Sequence, residues 1–169
     1  LTLLLIAAGM ETTTSLLGTM VHSLATGAVT REELGDGVDL PTAAAIDEFV
    51  RFDAPAQWLA RVTTKPVSLH GVELETGSRV LMIFASANRD PQVFDRPDEL
   101  MLDRDGSRNL AFGEGIHFCI GMPLAKLEAR VGMRQLLRTL PAFELDGEPT
   151  RYPSHVIRGY QSVPIRWAS

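Results

Sequence analysis

A single cysteine, Cys119, is the only thiol in the 169-residue chain. It cannot close an intrachain disulfide, so the chain is no disulfide scaffold. A block of Lys and Arg is also missing. Sixteen basic residues stand against 21 acidic ones, the net charge is −5, and nothing supports nucleic-acid binding. The apolar opening LTLLLIAAGM ends at Glu11, too short to span a membrane. It has no basic start and no cleavage-like segment, which argues against a signal peptide. No P-loop lysine sits in a strand–loop–helix setting, so the glycines from Gly113 to Gly121 make a poor phosphate cradle. Zinc is unattractive too. Cys119 has only His117 near it in sequence, and a zinc site needs about three or four ligands. These absences leave a chain long enough for one moderate core, with an ordinary soluble composition. Taken alone, Cys119 is as often a small buried hydrophobe as anything reactive.

The segment around it changes that reading. Asn109 to Leu127 runs NLAFGEGIHFCIGMPLAKL. Asn109 to Phe118 reads as a glycine-punctuated loop. Leu124, Leu127, Val131 and the Leu136–Leu137 pair recur at helical period and predict a helix from Leu124 to Leu140. Pro123 suits that helix's first turn. Cys119 therefore precedes a helix N-terminus, where free N–H groups favour a thiolate. Gly113 and Gly115 allow a tight turn, and Gly121 lets the backbone approach something flat and bulky. An anionic sulfur in an apolar loop is costly unless it meets a metal or a cation.

Elsewhere the pattern is mostly helical. Leu1 to Leu24 has helical length and is apolar on several faces, through Leu3, Ile6, Met10, Leu17 and Met20, so it wants burial on several sides. Ala8 to Thr13 interrupts it with small and polar residues. The threonines can bond back to the preceding turn, or the segment can open the helix to a ligand. Thr30, Glu32 and Glu33 predict a short helix start, closed by Gly35, Asp36 and Gly37. Pro41 or Thr42 opens a helix through Phe52. It places Glu48 and Arg51 on one face among Ile46, Phe49, Val50 and Phe52. Short strands are expected over Arg61–Leu69, Val72–Leu74 and Arg79–Phe84, with turns at Lys65–Pro66 and Glu75–Gly77. Asn88 and Arg89 should tie their loop to neighbouring backbone, and Phe94 should be core. Pro141 to Phe143 stops the last helix. Edge strands are expected at Phe143–Leu145 and Val163–Ile165, with a loop over Pro153–Gly159 between them.

Phe112, Gly115, Cys119 and Gly121 fill the pattern Phe-x-x-Gly-x-x-x-Cys-x-Gly. The stretch resembles the haem-binding loop of the cytochrome P-450 family, in its soluble bacterial type. The resemblance implies that Cys119 is the proximal thiolate on the iron of haem b, a ligand that favours O–O cleavage. It places Phe112 and Gly113 beside the ring and sulfur. It gives His117 and Arg61 the basic positions that hold haem propionates. Ala8-Gly9-Met10-Glu11-Thr12-Thr13 resembles the family's distal-helix signature. Ala8 and Gly9 would then leave room for dioxygen, while Glu11 and Thr12 handle protons. Glu48 and Arg51 match the family's Glu-x-x-Arg, and Arg104 matches its third partner in a structural network. Ala54, Trp58 and Leu59, with Val156 and Ile157 at the tip of the later loop, take substrate-pocket positions. Arg158-Gly159-Tyr160, closed by Val163 and Pro164, matches the family's ending.

The implied fold is mostly α with small β sheets, the C-terminal part of the cytochrome P-450 fold. Residues 1–169 would be its haem-binding portion, with the upstream N-terminal helices absent from the chain. The implied activity is a haem-thiolate monooxygenase. It would insert one atom of dioxygen into an apolar substrate, with electrons from NAD(P)H through a separate ferredoxin or flavodoxin-type donor. The expected setting is cytoplasmic, without membrane or nucleic acid. The alternative is a truncated haem-binding fragment or pseudo-enzyme without turnover.

Overall fold

The computed structural model describes residues 2–35, 40–140 and 142–167. Leu1, the helix stop at Asp36 and Gly37, and the stop at Pro141 lie outside the described residues. The apolar opening does not end at Glu11. It continues into one 24-residue helix, α1 (Thr2–Ala25). By length and composition α1 is apolar enough to cross a membrane, a test that the core helix of a soluble protein passes as well. Its two halves differ. Thr13, Ser15, Leu16, Thr19, Met20 and Ser23 are buried. Leu3 to Ile6 and Met10 are exposed, Leu3 to 83%. The expected burial on several sides is therefore met only from Thr13 onward, where other elements pack.

The short helix α2 (Arg31–Leu34) starts as its sequence predicts. Glu33 N–H donates to the Thr30 hydroxyl at 3.3 Å, and Thr30 N–H donates to Glu33 Oε2 at 2.7 Å, a complete capping box. α3 (Ala43–Phe52) is capped by Thr42, whose hydroxyl accepts from Ala45 N–H at 3.1 Å. α5 (Met122–Thr139) begins at Met122 rather than Leu124 and carries Pro123 in its first turn. The core forms where these helices meet: Leu16 and Met20 of α1, Leu34 of α2, Ile46, Phe49 and Val50 of α3, and Ala129, Met133 and Leu137 of α5. Gly132 lets α5 close on α1, since a Cβ there would lie 3.3 Å from Leu17 Cδ2. Phe94 is buried, as expected.

The strands form four two-stranded antiparallel sheets among the described residues. β1 (Leu59–Val62) pairs with β4 (Arg79–Met82), and β2 (Val67–Leu69) with β3 (Val72–Leu74). The strand stretch expected over Arg61–Leu69 is thus two strands, parted around the expected Lys65–Pro66 turn. The chain leaves β1 at Thr63, which pairs its N–H with Ser78 O at 3.0 Å and accepts Gly77 N–H at 2.9 Å. β4 stops at Met82, and Phe84 opens the short helix α4 (Phe84–Ala87) instead of ending a strand. β5 (Glu144–Leu145) pairs with β8 (Ile165–Arg166). A further pair, β6 (Thr150–Arg151) with β7 (Tyr160–Ser162), has no counterpart in the sequence reading.

Candidate active site

The buried ion network is the most completely specified part of the site. Glu48 and Arg51 lie one helical turn apart on α3, and both are buried. Arg51 Nε and Nη2 fork onto the two Glu48 carboxylate oxygens at 2.7 and 2.8 Å. Arg51 also donates to the carbonyls of Asn88 (2.7 Å), Pro97 (2.9 Å) and Glu99 (3.0 Å). Glu48 Oε1 further accepts Met101 N–H at 2.9 Å and Arg104 Nε at 3.2 Å. Arg104 goes on to the carbonyls of Asp95 (2.6 Å) and Arg96 (3.1 Å). The carboxylate between two guanidinium groups thus straps residues 95–104 onto α3. Desolvation of the charges is offset only because so many partners converge on them.

The cysteine loop is held from this side. Asn88 is fully buried; its Oδ1 accepts Leu110 N–H at 2.8 Å and its Nδ2 donates to Asn109 Oδ1 at 3.1 Å. Arg89 Nη2 donates to Phe52 O at 2.8 Å, so Asn88 and Arg89 tie their own loop to neighbouring backbone as their sequence suggests. Asn109 Nδ2 reaches Asp47 O at 2.9 Å. Beyond Asn109, Gly113 N–H returns to Leu110 O at 2.8 Å. Gly113 and Gly115 then take φ of 72° and 66°, which a side chain would resist. Cys119 N–H donates to Phe112 O at 2.8 Å, and Met122 N–H to Cys119 O at 3.3 Å, so the thiol sits between the turn and the start of α5. Phe112 packs against the core, under the Lys126 ammonium 5.7 Å from its ring centre. Lys126 pairs with Asp47 of α3 at 2.5 Å, which fixes α5 beside the loop.

The loop's outer face is different. Cys119 is a free, exposed cysteine. Ile116 and Ile120 on either side of it are 97% and 92% exposed, and Phe118, Leu124 and Leu127 are exposed as well. Among the described residues no group of three or more His, Cys, Asp or Glu could hold a metal ion. One sulfur ligand on an apolar platform therefore does not suit a bare ion. It suits a metal that brings its other ligands in a large apolar ring, and the residues present fit a haem.

The remaining candidates are placed as follows. On α1, Ala8, Gly9 and Glu11 are exposed and Thr12 is half-buried. Thr12 Oγ1 donates to Ala8 O at 2.6 Å, the backward bond that threonines make within a helix. A Cβ on Gly9 would meet nothing within 4 Å. Among the described residues no hydrogen bond or ion pair joins Glu11 or Thr12 to the cysteine loop. His117 is exposed in the turn before Cys119. Arg61 is half-buried in β1 and donates to its neighbour Ala60 O at 2.9 Å. The two segments expected to form a substrate wall do meet. Gln57 N–H donates to Val156 O and Arg158 N–H to Pro55 O, both at 2.8 Å, and Ala56 bridges Ile157. Trp58 stacks on His155 with ring centres 6.4 Å apart. Ala54, only 1% exposed, lies behind that wall rather than on its surface.

Sequence reasoning missed Asp53. It is 6% exposed at the end of α3 and accepts from Thr19 (3.3 Å), Arg151 (3.2 Å) and Arg158. Arg151 Nη2 also donates to Tyr160 Oη at 2.8 Å, and His22 stacks on Tyr160 at 4.5 Å. Burial, then the Arg151 charge, lowers the His22 pKa against a smaller opposing effect of Asp53. Burial raises the Tyr160 pKa. The one available signal was an acid beside a helix end with arginines far downstream, which no spacing rule pairs.

Known proteins agree with this geometry. The family profile described as Cytochrome P450 matches residues 1–158. The chain is 39% identical over 168 residues to cytochrome P450 monooxygenase PikC of Streptomyces venezuelae, covering 97% of this chain and 40% of that protein. It is 38% identical over 167 residues to the vitamin D(3) 25-hydroxylase of Pseudonocardia autotrophica, covering 96% and 41%. The crystal structure of CYP109E1 from Bacillus megaterium in complex with testosterone superposes with a TM-score of 0.90 at 33% identity, over 98% of this chain and 46% of that one. The chain belongs to the cytochrome P450 family. Its fold is the C-terminal part of that family's fold, mostly α with small antiparallel sheets. The chain spans about two fifths of the length of these curated relatives.

Proposed function

We propose that residues 1–169 are the haem-binding portion of a haem-thiolate monooxygenase acting on an apolar organic molecule. The observation that carries this reading is the exposed Cys119 thiol, set between a glycine turn and the start of α5 in a chain of this family. The Cys119 sulfur anchors haem b as its thiolate ligand. The N-terminal turn of α5, whose N–H groups lack intrahelical partners, tempers that negative charge. Ile116, Phe118 and Ile120 keep water from the sulfur side, and Phe112 and Gly113 shape the loop under the ring. His117 and Arg61 take the carboxylates at the ring's edge. Ala8 and Gly9 would leave room for dioxygen, and Glu11 and Thr12 would handle protons through water. With its proton donated to Ala8 O, the Thr12 hydroxyl keeps its lone pairs free to accept a hydrogen bond from a water. Bound haem supplies the activation of dioxygen and the insertion of one oxygen atom into a C–H or C=C bond.

Electrons come from NAD(P)H through a ferredoxin or flavodoxin-type donor in the cytoplasm, with no membrane or nucleic acid involved. The substrate is apolar. Trp58, Leu59, Val156 and Ile157 line its wall, backed by Ala54, and the vitamin D and testosterone relatives point the same way. A second reading, haem binding without turnover, draws on the openness of Leu3 to Ile6 and Met10, which are exposed among the described residues. Labelled dioxygen separates the two. The protein is supplied with NADPH, a ferredoxin, its reductase and a panel of apolar substrates including testosterone. Label in the product supports the monooxygenase, and haem binding with no labelled product across the panel supports the second reading.

A further inference from the structure

The strongest unassigned feature lies behind the substrate wall, where α1 and the C-terminal segment, far apart in sequence, converge on one carboxylate at the end of α3. Asp53 caps α3 and immediately precedes Ala54 to Leu59. Its Oδ2 accepts from Arg151 Nη1 at 3.2 Å and Thr19 Oγ1 at 3.3 Å, and its Oδ1 from Arg158 Nε. Both guanidinium groups come from the C-terminal segment. Arg151 lies on β6, at the foot of the loop. Arg158 follows its tip, Val156 and Ile157. The backbone repeats the link: Arg158 N–H donates to Pro55 O, Gln57 N–H donates to Val156 O, and Ala56 bridges Ile157. Gly159 seats the loop directly on α1, since a Cβ there would lie 2.2 Å from the buried Ser15 hydroxyl. Tyr160, capped by the Arg151 guanidinium 4.1 Å from its ring centre, completes the foot.

We infer that Asp53 is a positioning residue for substrate. It sets the separation and register of the two wall segments, 54–59 and 155–158, by holding Arg151 and Arg158 to the end of α3. This inference rests on the wall assignment under the proposed function. A buried carboxylate on two guanidinium groups is a strong, directional tie. Its loss frees the loop's charged foot rather than its apolar tip. Asp53 lies two residues beyond Arg51 on α3 but takes its side-chain bonds from Thr19, Arg151 and Arg158, a set different from that of the Glu48 clamp, so exchange in α5 reads separately from exchange in the two wall segments.

The test uses the haem-loaded protein and two variants, Asp53→Asn and Arg158→Gln, the second standing in if the first does not fold. Amide hydrogen exchange at Gln57 and Arg158 should quicken by about tenfold or more in a variant, while the amides of α5 exchange as in the parent. Two azoles read the site. Imidazole, which reaches only the iron, should bind within about twofold of the parent. Clotrimazole, whose bulky apolar groups reach the wall, should weaken by about tenfold, the equivalent of one lost charge-assisted bond. Unchanged exchange at Gln57 and Arg158 would overturn the inference. So would a uniform rise in exchange across α3 and α5, or equal weakening of both azoles. If the parent itself takes up no haem, the proposed function falls, and the exchange measurement alone still decides whether Asp53 fixes the two segments.

Discussion

The Glu48–Arg51–Arg104 clamp and the Cys119 loop are built from neighbouring parts of the fold with opposite logic. In the clamp, charges are buried and matched: one carboxylate receives both guanidinium groups and a backbone N–H, and the arginines' other donors run to carbonyls. In the loop, the backbone is tightly bonded from Leu110 to Met122, yet the thiol and the isoleucines beside it face outward. A saturated network has nothing left to offer a ligand, so its work is structural. An open thiol on an ordered backbone has its whole bonding capacity in reserve. Burial and partner count thus separate residues that hold the site from residues that act in it.

The largest effect should come from breaking the clamp. Glu48→Ala leaves Arg51 buried without its carboxylate, and should lower stability by about 3–5 kcal/mol. Melting temperature and haem content should fall together; a variant that kept both would mean the clamp is dispensable. Next is the link between the two regions. Asn88→Ala removes the acceptor of Leu110 N–H and the donor to Asn109, at a cost of about 1–3 kcal/mol. Amide exchange should rise first in residues 109–113, and an even rise through α3 would show that Asn88 serves the clamp instead. Thr12→Ala, in the first half of α1, loses only a within-helix bond. Its stability should stay within about 0.5 kcal/mol of the parent. Product formed per NADPH consumed should drop, with the missing electrons recovered as peroxide or water. An unaltered ratio would leave Thr12 a helix residue and nothing more.

The smallest effect expected is a pH dependence at the α1–β7 contact. His22 has a folded-state pKa below its ordinary value, so the neutral ring is the favoured partner of Tyr160 and Arg151. The stability it contributes is complete above the unfolded imidazole value of about 6.5 and is lost as pH falls through the lower folded value. Melting curves between neutral and mildly acid pH should show this loss in the parent and a shallower slope in His22→Gln. Equal slopes would assign the acid sensitivity elsewhere.

The sequence exposed what is local and periodic. Thr30 and Thr42 cap where their side chains suggest, Pro123 sits in the first turn of α5, and Glu48 and Arg51 share a face because they are one turn apart. The cysteine motif is also local, spanning Phe112 to Gly121 without a break. Less was legible where the determinant is distant in the chain. Where β1 gives way is set by Thr63, whose backbone bonds to Ser78 and Gly77 in the turn before β4, and the β6–β7 pair is too short to show an alternation. The Asp53 centre joins Thr19, Arg151 and Arg158, and only the folded chain brings them together. The split character of α1 was hidden for a related reason. Leu3 and Leu16 look alike in sequence, and only packing distinguishes the exposed one from the buried one.

The central claim is that Cys119 is the single protein ligand of a haem iron. It is tested most directly by the absorption spectrum of the reduced protein with carbon monoxide, recorded on the parent and on Cys119→Ser. The parent should give the red-shifted Soret band of a thiolate-ligated complex. The serine variant should lose that band while its far-ultraviolet circular dichroism stays that of the parent, because an exposed thiol contributes little to the fold. A variant that retained the thiolate-type band would contradict the account.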